Sequence, residues 1–221
     1  MPLRLKVNPR ARRVSLRIDA RTGEAVATAP SARRLSDAVA FARTRRAWLA
    51  DRLASRAAAP PPMAGEVLRV FGVACILVPD GRRPALAAGA ITGCGQGAVD
   101  PQLVARAVRR AALEVFEARC AAHCARLEVA APTVLAADAR TRWGSCSPAR
   151  PGRRATIRLS WRLALAPFEV ADYVVAHECA HLIEPNHGPR FWALVRGLIG
   201  DPAPHRAFLR REGAGLHGFG R

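Results

Sequence analysis

Long uncharged runs are missing from this chain. No window of about 18 residues is apolar enough to span a membrane, since LALAPFEVADYVVAHECAHLI is interrupted by Pro167, Glu169, Asp172 and its histidines. The opening MPLRLKVNPRARRVSLRI alternates arginine with apolar residues and lacks the run of about seven apolar residues that an export signal needs. Export is therefore not expected, and a cytoplasmic location is. The six cysteines (Cys75, Cys94, Cys120, Cys124, Cys146 and Cys179) lack the spacing of a disulfide framework, so reduced thiols buried as small apolar side chains are expected. Lysine is nearly absent too, Lys6 being the only one, yet Lys+Arg total 35 against 17 Asp+Glu, a net charge of +18. In a chain so rich in Ala and Arg, the choice of arginine over lysine carries no message. The charge does, because a field of that size draws polyanions.

The basic residues crowd the N-terminal third, where residues 1 to 60 hold fourteen Lys+Arg against four Asp+Glu, notably in PRARRVSLR and ARRL. Aromatics interleaved with those charges would mark a single-strand nucleic-acid binder, but only Phe41 and Trp48 occur there and both are expected to be buried. Nucleic acid is thus a possible partner through a basic surface, without a motif to specify it.

LRLKV (3 to 7), RVSLRI (13 to 18) and EAVATA (24 to 29) alternate with period two between breakers and predict an antiparallel β-meander. Ser36 is the expected N-cap of a single helix over DAVAFARTRRAWLADRLAS. AAAPPPMAG (57 to 65) then forms a stiff connector. The expected division is a basic β-rich lobe with a helix over 1–60 and a catalytic domain over 61–221. Within the second part, EVLRVFG and ACILVP read as strands about a Gly72 turn, and ALAAGAITGCGQGAV as irregular loop ending in a short strand. Asp100-Pro101 starts a helix to about 128 whose apolar side carries Leu103, Ala107, Val108, Ala111, Val115, Ala118 and Ala122. TVLAA (133 to 137) and ATIRLSW (155 to 161) are expected to form a hairpin with a long tip. Pro167 starts a helix running through Glu184 to Pro185, and a further helix follows Gly188-Pro189 and stops at Gly200. The fold class is accordingly α+β.

HECAHLIEPNH, residues 177 to 187, carries the chemistry. His177 and His181 are four apart, so on a helix they differ by about 40° in direction and about 6 Å in height, and both imidazoles can meet one metal ion. Glu178 lies about 100° round the helix and reaches a water beside that metal rather than the ion. Two histidines and a carboxylate so placed are what metal-assisted hydrolysis requires: zinc acidifies a water and the carboxylate takes its proton. One Zn²⁺ ion is expected. For the third ligand, Glu184 shares the helix face but sits about 10 Å from the level of His177, too far for bonds near 2 Å on a straight helix. His187, beyond Pro185, can turn back over the last turn, so it is the favoured ligand, with Glu184 orienting a histidine and remaining the alternative.

With TRWGSCS upstream, ATIRLSWRLALAPFEVADYVVAHECAH leading into the motif and His-x-x-x-Phe-Trp at 187 to 192, the sequence resembles the YgjP-like metallopeptidase family over roughly residues 10 to 200. The family in turn resembles the SprT-like and WLM zincins, some of which act on DNA-bound proteins. The resemblance implies a zincin-like catalytic domain with His177, His181 and His187 on zinc and Glu178 as the base; it leaves the substrate open, a peptide or protein being expected and a phosphoanhydride being within reach of the same chemistry. The histidine spacing also equals that of the metzincins, but their turn glycine is Glu184 here and no methionine follows the motif.

Trp143 of Trp143-Gly144-Ser145-Cys146 is equally a cleft wall for an extended peptide or a packing anchor, and Arg142 is a candidate for holding an anion or carbonyl oxygen. Cys146 is not expected as a nucleophile. Cys120, His123 and Cys124 at i, i+3, i+4 are a remote candidate for part of a second metal site. Phe191 and Trp192 are read as core, and His205 and His217 as surface residues of the tail. Besides a zinc metallopeptidase, two other functions are carried: a metal-dependent nucleotide phosphohydrolase with arginines around the phosphates, and a nucleic-acid-binding module whose zinc is structural.

Overall fold

The computed structural model describes residues 3–19, 24–54, 62–139 and 142–219. The chain is α+β and divides into two units, Met1–Ala59 and Pro60–Arg221. The connector expected over 57–65 lies largely outside the described residues.

The first unit holds the three expected strands, Leu3–Val7 (β1), Ser15–Ile18 (β2) and Ala25–Ala29 (β3). Their order is β1-β3-β2, not that of a meander: β3 is antiparallel to β2 but parallel to β1, with Leu3 opposite Ala25 and Val7 opposite Ala29. Composition explains the change. β3 is AVATA, buried at every position, and takes the centre, whereas β1 and β2 bear Arg4, Lys6 and Arg17, which stay in water at the edges. The single helix expected after Ser36 is two, Leu35–Thr44 (α1) and Arg46–Ala54 (α2), separated at Arg45 and preceded by a 3-10 turn at Ala32–Arg34. Ser36 lies inside α1 and Arg34 occupies the cap position. Ala27, Ala29 and Ala38 form a small core with Leu3, Val14, Leu16 and Leu35 against it. Trp48, expected inside, is 43% exposed while its neighbour Leu49 is buried, since adjacent helical residues point about 100° apart.

In the second unit, Val67–Val70 (β4), Val73–Val78 (β5), Ala85–Ala87 (β6) and Ala90–Thr92 (β7) make one sheet in the order β4-β5-β7-β6. β6 and β7 replace the irregular loop expected there. They form a hairpin whose two loop residues, Ala88 and Gly89, both have positive φ, the requirement of a tight type I′ connection. Pro101–Arg126 (α3) begins where expected, with Asp100 Oδ1 accepting from Gln102 N at 2.8 Å. Its buried stripe is Val104, Val108, Ala112, Phe116, Cys120 and Cys124, every fourth residue, and Ala118 and Ala122 of the expected face are exposed. Phe116 decides the rotation: its large ring is fully buried and brings its own i±4 neighbours inward.

Thr133–Ala137 (β8), Gly144–Ser147 (β9) and Thr156–Ser160 (β10) form a second sheet, in the order β8-β10-β9. β8 and β10 do not make the expected hairpin but pair in parallel, and β9 is the antiparallel partner of β10, with Cys146 opposite Ile157. β10, mostly buried, takes the middle, and the small polar GSCS segment is left as an outer strand. Phe168–Ala180 (α4), Pro189–Ile199 (α5) and Ala203–Gly218 (α6) complete the unit, with α4 packed against α3, α5, α6, β9 and β10. Asp172 ties α4 to α3, accepting from Arg119 Nε and Nη2 at 2.8 and 3.0 Å and from His123 Nε2 at 2.7 Å. Among the described residues no helix is long and apolar enough to cross a membrane.

α6 covers the region read as tail. Buried Arg162 holds its end by donating from Nε to the Phe219 carbonyl at 3.0 Å, with Trp161 edge-on to the Phe219 ring.

Candidate metal centre

α4 ends at Ala180, four residues short of the Glu184 limit read from Pro185. The chain tightens after it: Leu182 N bonds Cys179 O and Ile183 N bonds Ala180 O, three-residue steps that close a helix end. His181 is the C-cap residue, and the turn frees residues 185 to 188 to swing back. The result brings His177, His181 and His187 together, with their donor nitrogens all within 4.8 Å of one another. Ring centroids are 5.0 Å apart for His177 and His181, 4.9 Å for His177 and His187, and 4.7 Å for His181 and His187.

The protonation pattern suits a metal ion. His181 Nδ1 donates to the Glu184 carbonyl at 3.0 Å; a carbonyl can only accept, so the Nε2 lone pair is free. His177 Nε2 and His187 Nε2 face each other at 3.0 Å, near the edge of about 3.3 Å that two nitrogens span around a tetrahedral ion with bonds near 2.05 Å. Burial, with the neighbouring His181, His187 and Arg206, pushes His177 down to about 4. His187 is also lowered, by burial and then by His181 and Arg206. Imidazole nitrogens are donors to zinc and its transition-metal neighbours, and the convergence of these three rings fits such an ion.

Glu184 does not join them through its side chain. Its carboxylate pairs with Arg190 at 3.2 Å, and it is the main-chain carbonyl that fixes the His181 ring. Phe191, fully buried, lies 4.5 to 4.8 Å from all three histidine rings and walls the site on one side, as Trp192 does at 6.0 Å from His177 and His187.

Glu178, 5% exposed, is pushed up to about 7 by burial. The backbone of β9 touches it: a Cβ on Gly144 would sit 2.4 Å from Glu178 Oε1. That contact explains the glycine of Trp-Gly-Ser-Cys better than the bulge read from sequence. Trp143 stacks on His217 at 4.0 Å and fills the space beside Gly213, where an added Cβ would lie 2.9 Å from its ring. Arg142 is exposed just before β9. Cys146, pushed up to about 11 by burial and then by the Glu178 and Cys120 charges, stays a thiol at neutral pH.

The residues that sequence reasoning missed come from α6. His205 stacks on Tyr173 at 5.7 Å, Tyr173 lies 5.9 Å from the His177 ring, and the Arg206 guanidinium sits 4.9 Å over Trp192. The signal was present in the Gly200-Asp201-Pro202 start, where Asp201 Oδ1 accepts from Ala203 N at 2.9 Å. In the other candidate group, His123 is committed to Asp172, and Cys120 and Cys124 are joined instead by Cys179.

His177 on α4, His181 at its C-cap, His187 from the following loop and the buried carboxyl group of Glu178 together make a group that could hold a metal ion. Across residues 12–212 the chain matches the family described as YgjP-like, metallopeptidase domain, and it belongs to that family. No curated protein and no solved structure matches it.

Proposed function

We propose that this protein is a zinc-dependent peptidase in which His177, His181 and His187 hold one zinc ion and Glu178 is the general base. The observation that carries the reading is the convergence of three imidazoles beside a carboxyl group that is 5% exposed. A zinc ion so held supplies Lewis-acid polarisation of a carbonyl and acidifies water to a pKa of about 7. Glu178 takes a proton from the attacking water, holds it as the neutral acid its buried setting favours, and passes it to the departing amine nitrogen. Phe191 keeps water off one side, and the Glu184 carbonyl keeps His181 in the ligating tautomer. A peptide is favoured over a nucleotide because β9, an outer strand, runs beside Glu178 and offers its main chain to an extended substrate. In this reading Arg142 and Trp143, immediately before β9, contact the substrate.

The proposal extends to action near nucleic acid, supported by exposed Arg4, Lys6, Arg10, Arg12, Arg13 and Arg17 in the first unit. Binding to duplex or single-stranded DNA that weakens steeply between 50 and 200 mM salt is the expected behaviour.

Metal analysis of purified protein tests the site. One zinc per chain is expected, lost in His187→Ala and kept in Glu178→Gln, with peptide cleavage abolished in both. Zinc kept by His187→Ala but lost by Glu184→Ala would replace the third ligand. A screen of the zinc form over proteins, peptides and nucleotides, with and without DNA, tests the substrate class. Pyrophosphate release abolished by Glu178→Gln would reassign the enzyme to nucleotides.

A further inference from the structure

Cys179 lies about 200° round α4 from both His177 and His181, and there it meets Cys120 and Cys124, an i, i+4 pair on α3. The Sγ–Sγ distances are 3.5 Å for Cys120 and Cys179, 4.0 Å for Cys120 and Cys124, and 4.0 Å for Cys124 and Cys179. All three residues are at most 1% exposed. The point equidistant from the corners of that triangle is about 2.2 Å from each sulfur, against a metal–thiolate bond of about 2.3 Å. The sulfurs therefore already stand at bonding radius around an ion in their plane. Burial of small side chains does not by itself gather them, because Cys75 and Cys94 are also buried and lie outside the group.

We propose that Cys120, Cys124 and Cys179 form a second, buried metal site that takes one soft, thiophilic ion of the Cu(I) type in a three-coordinate thiolate plane. Thiolates select Cu(I), zinc or iron–sulfur clusters. Structural zinc takes four ligands and iron–sulfur clusters four cysteines, but among the described residues no fourth His, Cys, Asp or Glu joins this group. His123, the nearest candidate in sequence, is held by Asp172 at 2.7 Å, and Cys146, the neighbouring thiol on β9, lies outside the group. The thiols themselves are almost fully buried, and Cys120 lines a cavity of about 250 Å³ with Glu117, Ala121 and Pro132. On loading, three S–H protons pass to solvent and three metal–sulfur bonds form, with no change of oxidation state. The ion reaches the thiols from the cavity beside Cys120 or as α3 and α4 come together, and it then cross-links the helix that carries His177 and His181.

The test uses the full chain, unfolded with reductant and refolded without oxygen in the presence of zinc and one equivalent of Cu(I), then washed against a copper chelator. One retained copper per chain is expected, with an X-ray absorption spectrum of three sulfur neighbours at about 2.3 Å. Cys124→Ala should retain none while its zinc content is unchanged, and Cys94→Ala should behave as wild type. If Cys124→Ala fails to fold, the wild-type spectrum decides by itself. No retained copper in the wild type, nitrogen in place of sulfur, copper kept by a folded Cys124→Ala, or a second zinc on sulfur in its place would each overturn the assignment.

Discussion

Replacing Glu178 by Gln should stabilise the metal-free protein, and by an amount that depends on pH. Burial raises the carboxyl from its ordinary 4.5 to about 7, so between those values the folded state binds more protons than the unfolded one. Stability then falls as pH rises, by up to about 1.4 kcal/mol per unit. The contribution of Glu178 is fully present below 4.5 and lost as pH rises through 7, a change of about 3 kcal/mol in all. His177 acts in the opposite direction: lowered to about 4, it makes stability rise with pH from about 4 to its ordinary 6.5. His187, also lowered, acts in the same direction as His177, so the wild-type profile masks the Glu178 effect, which separates only by difference. Gln keeps the shape against Gly144 and does not titrate, while His177 and His187 are common to both proteins and cancel. Urea unfolding of chelator-treated wild type and Glu178→Gln at pH 4.5, 6, 7 and 8 should show the advantage of the variant growing by about 3 kcal/mol across the series. Zinc added back should shrink it, since a nearby cation favours the carboxylate. An advantage that stays constant over pH would refute the buried, proton-holding Glu178.

Other outcomes follow from the same contacts. Gly144→Ala places a Cβ 2.4 Å from Glu178 Oε1, so peptide cleavage should fall about a hundredfold from displacement of the base, with zinc content unchanged by metal analysis. Burial would raise Asp172, but the bonds and charges of His123 and Arg119 hold it below the usual carboxylate range. Its stabilisation is thus present at neutral pH and lost as pH falls through the lowered value, and Asp172→Asn should cost about 3 kcal/mol in urea unfolding at pH 7 and less in acid. Phe116→Ala, which empties the fully buried centre of the α3 stripe, should cost about 3–5 kcal/mol by the same assay.

Much of the site was legible because its signals are local. His177, Glu178 and His181 sit within one and a half turns of helix, so their convergence follows from helical pitch, and Pro185 announced that the chain after the motif would change direction. The cap of α3 at Asp100-Pro101, the strands TVLAA and TIRLS, and the Gly188-Pro189 start of α5 are likewise set by neighbours a few residues apart. What the sequence by itself determined is membership of a metallopeptidase family and the local placement of His177, Glu178 and His181.

Only the tertiary structure decided who meets whom across the chain. The parallel pairing of β8 and β10 with β9 outside, the approach of Gly144 to Glu178, the return of α6 with His205 and Arg206, and the joining of Cys179 to Cys120 and Cys124 all link segments tens of residues apart. Periodicity reports which face of an element is apolar, and even that reading slipped on α3, where one buried ring turned the helix. It carries no record of the partner, because the choice among apolar faces is made by shape and packing once the elements assemble.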